Sequence, residues 1–108
     1  MNPNSAKNWT LSSYTNDTWT DLVDEESIVA TLSIANTAGT AANVEVRLSD
    51  GSGNNLAVIV PQNELASYDA FVLDIKSIPV TGTQTIQVRA SAAGVNFLAG
   101  GAVEAIEE

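Results

Sequence analysis

The sequence predicts an all-β protein, folded as a single antiparallel β-sandwich or jelly-roll-like domain of about eight short strands. Apolar and polar residues alternate with a period of two in several segments, which is typical of strands that bury one face. Turn clusters rich in Gly, Asn, Asp and Ser separate these segments roughly every ten residues, a spacing that favours sandwiches and barrels. No segment keeps a helical period over the length of a helix.

The composition indicates one domain with a modest core. The chain has 108 residues, of which 44% are hydrophobic but only 6% aromatic. The core must therefore be built from Val, Ile, Leu and Ala, and small side chains each bury little area. Association with other copies would supplement such a core. We place the β-sandwich domain at residues 9–108, preceded by a polar N-terminal arm at residues 1–8.

The segment from Ser27 to Ser49 shows the clearest strand pattern, and we expect it to form a long antiparallel hairpin. Its first half contains two alternating rows of side chains. One row is Ile28, Ala30, Leu32 and Ile34, and the other is Val29, Thr31, Ser33 and Ala35. In its second half, the apolar row is Val44, Val46 and Leu48. The link between the halves is small and polar, and Gly39 is expected to supply the positive φ of a hairpin loop.

The other strands follow from the same alternation. They are predicted at residues 9–12, 18–23, 56–60, 71–75, 85–90, 95–99 and 102–106. Pro61 is expected to end one strand, and residues 62–67 to form a connection with a single helical turn. Pro79 and Gly82 mark the next turn, while Gly100 and Gly101 allow a bend or bulge.

The charge balance argues against two classes of partner. There are 4 Lys and Arg residues against 13 Asp and Glu residues, a formal net charge of -9. Such a surface repels phosphate backbones and anionic membranes, so neither nucleic acid nor a membrane is an expected partner. The N-terminal residues lack the apolar stretch of a signal peptide, and we expect synthesis in a cytoplasm.

Residue types with catalytic potential are scarce. With no His and no Cys, a His-based triad, a Cys nucleophile and a nitrogen- or sulfur-ligated zinc site are excluded. An acid pair from Asp69 and Asp74, or one that includes Glu45, lacks any sign of a cleft around it. We therefore expect no enzyme activity, no catalytic residues, no metal and no cofactor.

An acidic group lies between the second predicted strand and the hairpin. Its members are Asp17, Asp21, Asp24, Glu25 and Glu26. Clustered carboxylates are the ligands that Ca²⁺ prefers, but their spacing here matches no calcium-loop geometry. The alternative is a solvated turn and strand face, and the sequence leaves the choice open.

The aromatic residues near the N-terminus are candidates for an interface. Trp9, Tyr14 and Trp19, together with Tyr68, would form a sugar-binding platform if they shared one exposed face. Aromatic residues more commonly anchor a core or a protein contact. The candidate interface residues are Trp9, Leu11, Tyr14 and Trp19. Arg47 and Arg89 are expected to face outward and to pair with acidic residues.

Two segments carry a resemblance to a known group of proteins. They are IVATLSIANTAGTAANVEVRLSDG and FVLDIKSIPVTGTQTIQVRASAAGVNFLAGGAVE. Over residues 19–105 the chain resembles small β-sandwich virion structural proteins of tailed bacteriophages. The shared pattern includes the strand end Ile34–Thr37 and the later segments 86–91, 94–97 and 101–104. The Tyr-x-Val-Pro segment often found before the first long strand is absent, and Trp19–Glu25 stands in its place.

This resemblance implies a non-enzymatic building block of the virion. Members are capsid decoration or cement proteins, or neck- and fibre-associated domains, and are commonly homotrimers. The implied partners are other copies of the chain and the major capsid protein or another virion protein. The alternative that we keep is a receptor- or carbohydrate-binding module associated with a tail, neck or fibre.

Overall fold

The computed structural model describes residues 4–14 and 17–104 and contains eight strands and no helix within them. The strands are β1 (Asn4–Tyr14), β2 (Thr20–Val23), β3 (Ser27–Asn36), β4 (Ala42–Ser49), β5 (Asn55–Leu65), β6 (Ala70–Val80), β7 (Thr85–Ala90) and β8 (Val95–Glu104). A membrane-crossing helix is accordingly not found in this part of the chain.

The strands form two antiparallel sheets in the strand order of a jelly roll. Sheet I has the order β1-β8-β3-β6 and sheet II has the order β2-β7-β4-β5. Strand 1 thus pairs with 8, 2 with 7, 3 with 6 and 4 with 5, a nested arrangement of two Greek keys. The predicted fold class, a single antiparallel sandwich of about eight strands, is confirmed.

The core lies between the two sheets and is mainly aliphatic. Its fully buried large side chains include Phe97, Leu32, Ile34 and Ile86 together with a set of valines. The predicted inward row of the last strand, Val95, Phe97 and Ala99, is at most 1% exposed and is confirmed. Because β-branched residues fit a pleated surface that is buried on one face, this composition favours strands throughout.

The predicted hairpin between β3 and β4 is wrong. β3 pairs with β6 and β8 in sheet I, whereas β4 pairs with β5 and β7 in sheet II. Residues 37–41 therefore cross from one sheet to the other as an arch. Both arrangements bury one row of side chains in each strand, so the alternation alone does not distinguish them.

Asn36 holds this arch in place. Its side chain is 2% exposed, and its Nδ2 donates to the carbonyl oxygens of Thr40, Leu65 and Ala66 at 2.8, 3.2 and 3.2 Å. Its Oδ1 accepts from the backbone N–H of Ala38 at 3.0 Å. One buried amide thus satisfies backbone groups of two loops that a hairpin would have paired differently. Gly39 does not adopt the positive φ predicted for it, since Gly51, Gly53, Gly82 and Gly94 are the described glycines that do.

A bulge at Ala30 exchanges the two predicted rows of β3. The pairing of β3 shifts register between Val29 and Thr31 on both sides. Before the bulge Val29 is buried and Ile28 is 44% exposed. After it, Leu32 and Ile34 are the buried residues. One inserted residue changes which row faces the core.

The bulge was predicted on the opposite strand. Gly100 and Gly101 lie within the continuous strand β8, directly across from the bulge in β3. A Cβ on Gly101 would lie 2.0 Å from the carbonyl oxygen of Ile28. Glycine is therefore required at position 101 by the close approach of the β3 backbone, whereas a Cβ on Gly100 would meet side-chain atoms of Thr31 and Asn8.

Four predicted boundaries are corrected. β1 begins at Asn4, so residues 4–8 of the predicted arm belong to a strand, and β2 begins at Thr20. β5 continues through Pro61 to Leu65, so the predicted connection with a helical turn is a strand up to that point. β6 likewise continues through Pro79. Both prolines are tolerated because β5 and β6 are edge strands. The end of the strand predicted at 102–106 lies outside the described residues.

Candidate interaction surfaces

The outer face of sheet I is formed by small and uncharged residues with a few exposed aliphatic side chains. One row crosses all four strands, from Thr10 through Leu98 and Ser33 to Val72. Val72 is 74% exposed and Leu98 is 41% exposed. Among the outward side chains that the structure describes on this face, Asp74 is the charged one.

The outer face of sheet II is mainly polar and is connected by side-chain contacts, although Leu56 and Val58 of its edge strand β5 are 50% and 51% exposed. Arg47 donates from Nε and Nη2 to Oε1 of Gln87 at 2.9 and 2.7 Å, and Gln87 donates from Nε2 to Asp21 at 2.9 Å. Arg89 forms an ion pair with Glu45 at 2.9 Å. The expected acidic partner is thus confirmed for Arg89, but Arg47 binds an amide oxygen instead.

Trp19 lies on this polar face, between the two pairs just described. The guanidinium carbon of Arg47 is 4.2 Å from the ring centroid, and that of Arg89 is 4.8 Å away. Contacts of this kind stabilise by about 0.5–1 kcal/mol at exposed sites. They attach the segment before β2 to strands β4 and β7.

The four predicted interface residues are distributed over both sheets. Trp9 is 6% exposed and points into the core, where its Nε1 donates to Oε2 of Glu25 at 2.9 Å. Leu11 is partly buried against the same core. Tyr14 belongs to β1 in sheet I, and its side chain is not among those described. Because Trp9 is buried in one sheet and Trp19 contacts the other, the two do not share an exposed face.

The acidic group is divided between different partners. Glu25 accepts hydrogen bonds from Lys7 and Trp9, and Asp21 accepts from Gln87. The donors Lys7, first, and Trp9 hold the pKa of the Glu25 carboxyl below its usual range. Within residues 4–14 and 17–104, no three acidic side chains are close enough together to hold a metal ion.

A polar groove of about 270 Å³ opens on the outer face of sheet II. Its polar lining residues are Asp17, Asn43, Glu45, Gln62, Arg89 and Ser91. The groove thus presents carboxylate, amide, hydroxyl and guanidinium groups beside the ring of Trp19. Such groups can bind polar hydroxylated ligands, although Arg89 and Glu45 already pair with each other.

Sequence reasoning missed the exposed aliphatic residues of sheet I and the backbone conformation of Tyr68, which it had named among the aromatic candidates. Val72 and Leu98 occupy outward positions of alternating strands, where polar residues are the norm. That departure from the pattern is the signal that would have found them. Tyr68 is 76% exposed and has a φ of 56°, which nothing in its sequence neighbourhood predicts.

Comparison with known proteins identifies the fold. No protein-family model matches the sequence, and no curated protein matches it. Among solved structures, the chain is similar to a protein of the Bacillus endospore appendages, described as disulfide-linked pili. The identity is 14%, the match covers 95% of this chain and 91% of that one, and the TM-score is 0.57. This level of similarity indicates a shared fold.

Two further structures superpose less closely. PirA matches at 13% identity over 91% of this chain and 93% of its own, with a TM-score of 0.43. The Tobacco streak virus coat protein matches at 14% identity over 98% and 92% of the two chains, with a TM-score of 0.38.

Proposed function

We propose that this chain is a non-enzymatic structural subunit that docks onto other proteins of a larger assembly. The observation that supports the proposal is the outer face of sheet I, on which Asp74 is the charged residue among the described side chains, in a chain whose net charge is -9. Contiguous apolar exposure on a small protein marks an interaction site, and charged residues are depleted at the centre of protein interfaces. An acidic chain meets least repulsion when it approaches a partner through such a face.

The specific form of the proposal is a decoration or cement protein of a tailed-phage capsid. The resemblance of residues 19–105 to small virion β-sandwich proteins supports it, and so does a jelly roll shared with a pilus subunit. Unlike the disulfide-linked pili, this chain has no Cys, so disulfides from these residues cannot hold its contacts. In this role it binds the major capsid protein as a homotrimer on the virion surface. Binding only to the assembled shell would stabilise that state by mass action.

The occupant proposed for the outer face of sheet I is an uncharged, apolar surface of the shell protein. Val72 and Leu98 would be its central anchors, since they are the exposed aliphatic residues of the row that crosses all four strands. Ser33 lies between them in that row. An apolar side chain of the partner that packs between Val72 and Leu98 meets no charged group from this row.

The test is loading of the purified protein onto assembled shells, followed by native mass spectrometry of the free protein and the complex. The wild-type chain is expected to load in a fixed ratio. Val72→Lys should reduce loading by roughly tenfold or more, because it places an unpaired charge in the contact. Leu56→Lys is the matched control, since Leu56 is 50% exposed but lies on sheet II.

Both variants should retain the thermal midpoint of the wild type, as exposed positions tolerate substitution. Loading that is the same for wild type and Val72→Lys would contradict docking through sheet I. A chain that ignores shells altogether would contradict the capsid role.

The second candidate is a receptor- or carbohydrate-binding module of a tail, neck or fibre. It is favoured by the polar groove beside Trp19, whose groups suit hydroxyl-rich ligands. Retention on a host-glycan column should then be lost in Asn43→Ala and Gln62→Ala, which change the groove but not the core. Equal retention of these variants and the wild type would exclude the groove as the glycan site.

A further inference from the structure

The four edge strands of the sandwich differ in how regular they are. The edges are β1 and β6 in sheet I and β2 and β5 in sheet II. The pairing of β2, β5 and β6 is interrupted by register shifts, three of them in β5. The pairing of β1 with β8 also shifts register, between Leu11 and Tyr14, but the eight residues from Asn4 to Leu11 before that shift keep a continuous register. Bulges and prolines are the devices that prevent edge strands from pairing with other chains, and this span of β1 has neither.

The exposed residues of β1 also favour pairing. Residues 5–8, Thr10 and Ser12 are exposed, and β8 is the one described strand that pairs with β1. Lys7 is the single charged residue between positions 4 and 14, and its ammonium group is bound by Glu25. A chain with a net charge of -9 therefore presents a nearly neutral strand at this edge.

We infer that β1 pairs edge to edge, antiparallel, with β1 of a second copy about a two-fold axis at Asn8. This inference rests on the proposed role as an assembly subunit, and it identifies β1 as the surface through which two copies meet. It would join two four-stranded sheets into one continuous sheet of eight strands. Open edges that add a strand in this way obtain affinity from main-chain hydrogen bonds.

The register follows from the pleat and from charge. Residues that face each other across strands must lie on the same side of the sheet, which excludes pairings between odd and even positions of β1. An axis at Lys7 would place two ammonium groups opposite each other, which is destabilising. An axis at Asn8 instead sets Lys7 opposite Trp9, Ala6 opposite Thr10 and Ser5 opposite Leu11. This register uses almost the whole regular span of β1.

The test uses the absence of native cysteine. In Asn8→Cys the two introduced thiols would lie at the axis, with Cα atoms about 4.5–5.5 Å apart, a separation that a disulfide spans. Under mild oxidation Asn8→Cys should form covalent dimers. Ala6→Cys and Thr10→Cys should each fail to dimerise alone but should cross-link when the two are mixed. Ser33→Cys, at the middle of the same sheet, is the control and should stay monomeric on a denaturing gel.

A second variant measures the contact without a cross-link. Asn8→Lys places two positive charges at the axis and should weaken association roughly tenfold in sedimentation equilibrium. Because this substitution also lowers the net negative charge of each copy, a general charge effect would strengthen association instead. Its thermal midpoint should equal that of the wild type, since Asn8 is exposed.

The outcomes distinguish this inference from the proposed function. Native mass spectra are expected to show assemblies with an even number of chains. A hexamer made of two trimers joined through β1 is one such assembly. Trimers that remain single while loading onto shells would overturn the β1 contact and leave the proposed function standing. Cross-linking of Asn8→Cys no greater than that of Ser33→Cys would overturn it as well.

Discussion

The two sheets of the sandwich present opposite kinds of outer face. Sheet II carries a chain of polar contacts that runs from Asp21 through Gln87 to Arg47. Trp19 connects Arg47 with Arg89, which pairs with Glu45. Sheet I instead exposes Val72 and Leu98 on a surface of small residues. The polar groups of sheet II largely bind one another, whereas Val72 and Leu98 of sheet I lie exposed to solvent.

The sheets also differ in what holds their strands together. In sheet I, β3 and β8 approach so closely that glycine is required at Gly101. In sheet II, the segment before β2 is attached through the ring of Trp19. Close backbone approach therefore contributes to the pairing within sheet I, and side-chain contacts contribute to the outer face of sheet II.

The largest effect is expected from Gly101→Ala. The added Cβ would lie 2.0 Å from the carbonyl oxygen of Ile28 and 2.9 Å from Cα of Val29. Since both neighbours are backbone atoms, they cannot move without opening the β3–β8 pairing. We expect the free energy of unfolding to fall by about 3 kcal/mol, measured by chemical denaturation.

Gly53→Ala is the control on the side of sheet II. Its Cβ would meet nothing within 4 Å, but Gly53 has a φ of +91°, so only the backbone conformation is strained. The expected loss is about 1 kcal/mol. Similar losses in the two variants would contradict the requirement for close approach in sheet I.

A smaller effect is expected from removing the central side chain of each outer face. Trp19→Ala removes two guanidinium contacts and frees the segment before β2, which should lower the free energy of unfolding by about 1–2 kcal/mol. Val72→Ala should change it by less than about 0.5 kcal/mol, because Val72 is 74% exposed. The order should reverse in shell loading, where only Val72→Ala is expected to matter. A stability loss in Val72→Ala equal to that in Trp19→Ala would mean that the Val72 side chain stabilises the fold of the free chain, contrary to this expectation.

Local patterns predicted the elements of this fold but not their pairing. Alternation predicted the strands and the buried row of Val95, Phe97 and Ala99, because the period of two is a property of each strand by itself. The arch between β3 and β4 depends on the buried amide of Asn36, whose partners Leu65 and Ala66 are distant in sequence. The sequence shows an asparagine at position 36, but it does not show which three carbonyl oxygens its side chain binds.

The candidate surfaces were predicted less well for a related reason. Trp9 and Trp19 were grouped because both are aromatic and near each other in sequence, yet β1 belongs to sheet I and β2, which follows Trp19, belongs to sheet II. Trp9 therefore points into the core from sheet I, and Trp19 lies outside sheet II. Exposed aliphatic residues such as Val72 become a surface only when the neighbouring strands are known.

The smallest effect on stability is expected from Glu25, whose carboxylate binds two side chains of the edge strand β1. Glu25 accepts from Lys7 and from Trp9 of β1, and these donors lower its pKa from an ordinary value of 4.5. A depressed folded-state pKa contributes stability above the unfolded value, and this contribution is lost as the pH falls through the folded value. The thermal midpoint of wild type should therefore exceed that of Glu25→Gln at neutral pH, and the difference should vanish as the pH falls below 4.5. Glu26→Gln removes the same formal charge without touching the Lys7 and Trp9 contacts and is the matched control for the charge change. A wild-type advantage that persists in strong acid would mean that the Lys7 and Trp9 contacts do not require the ionised carboxylate.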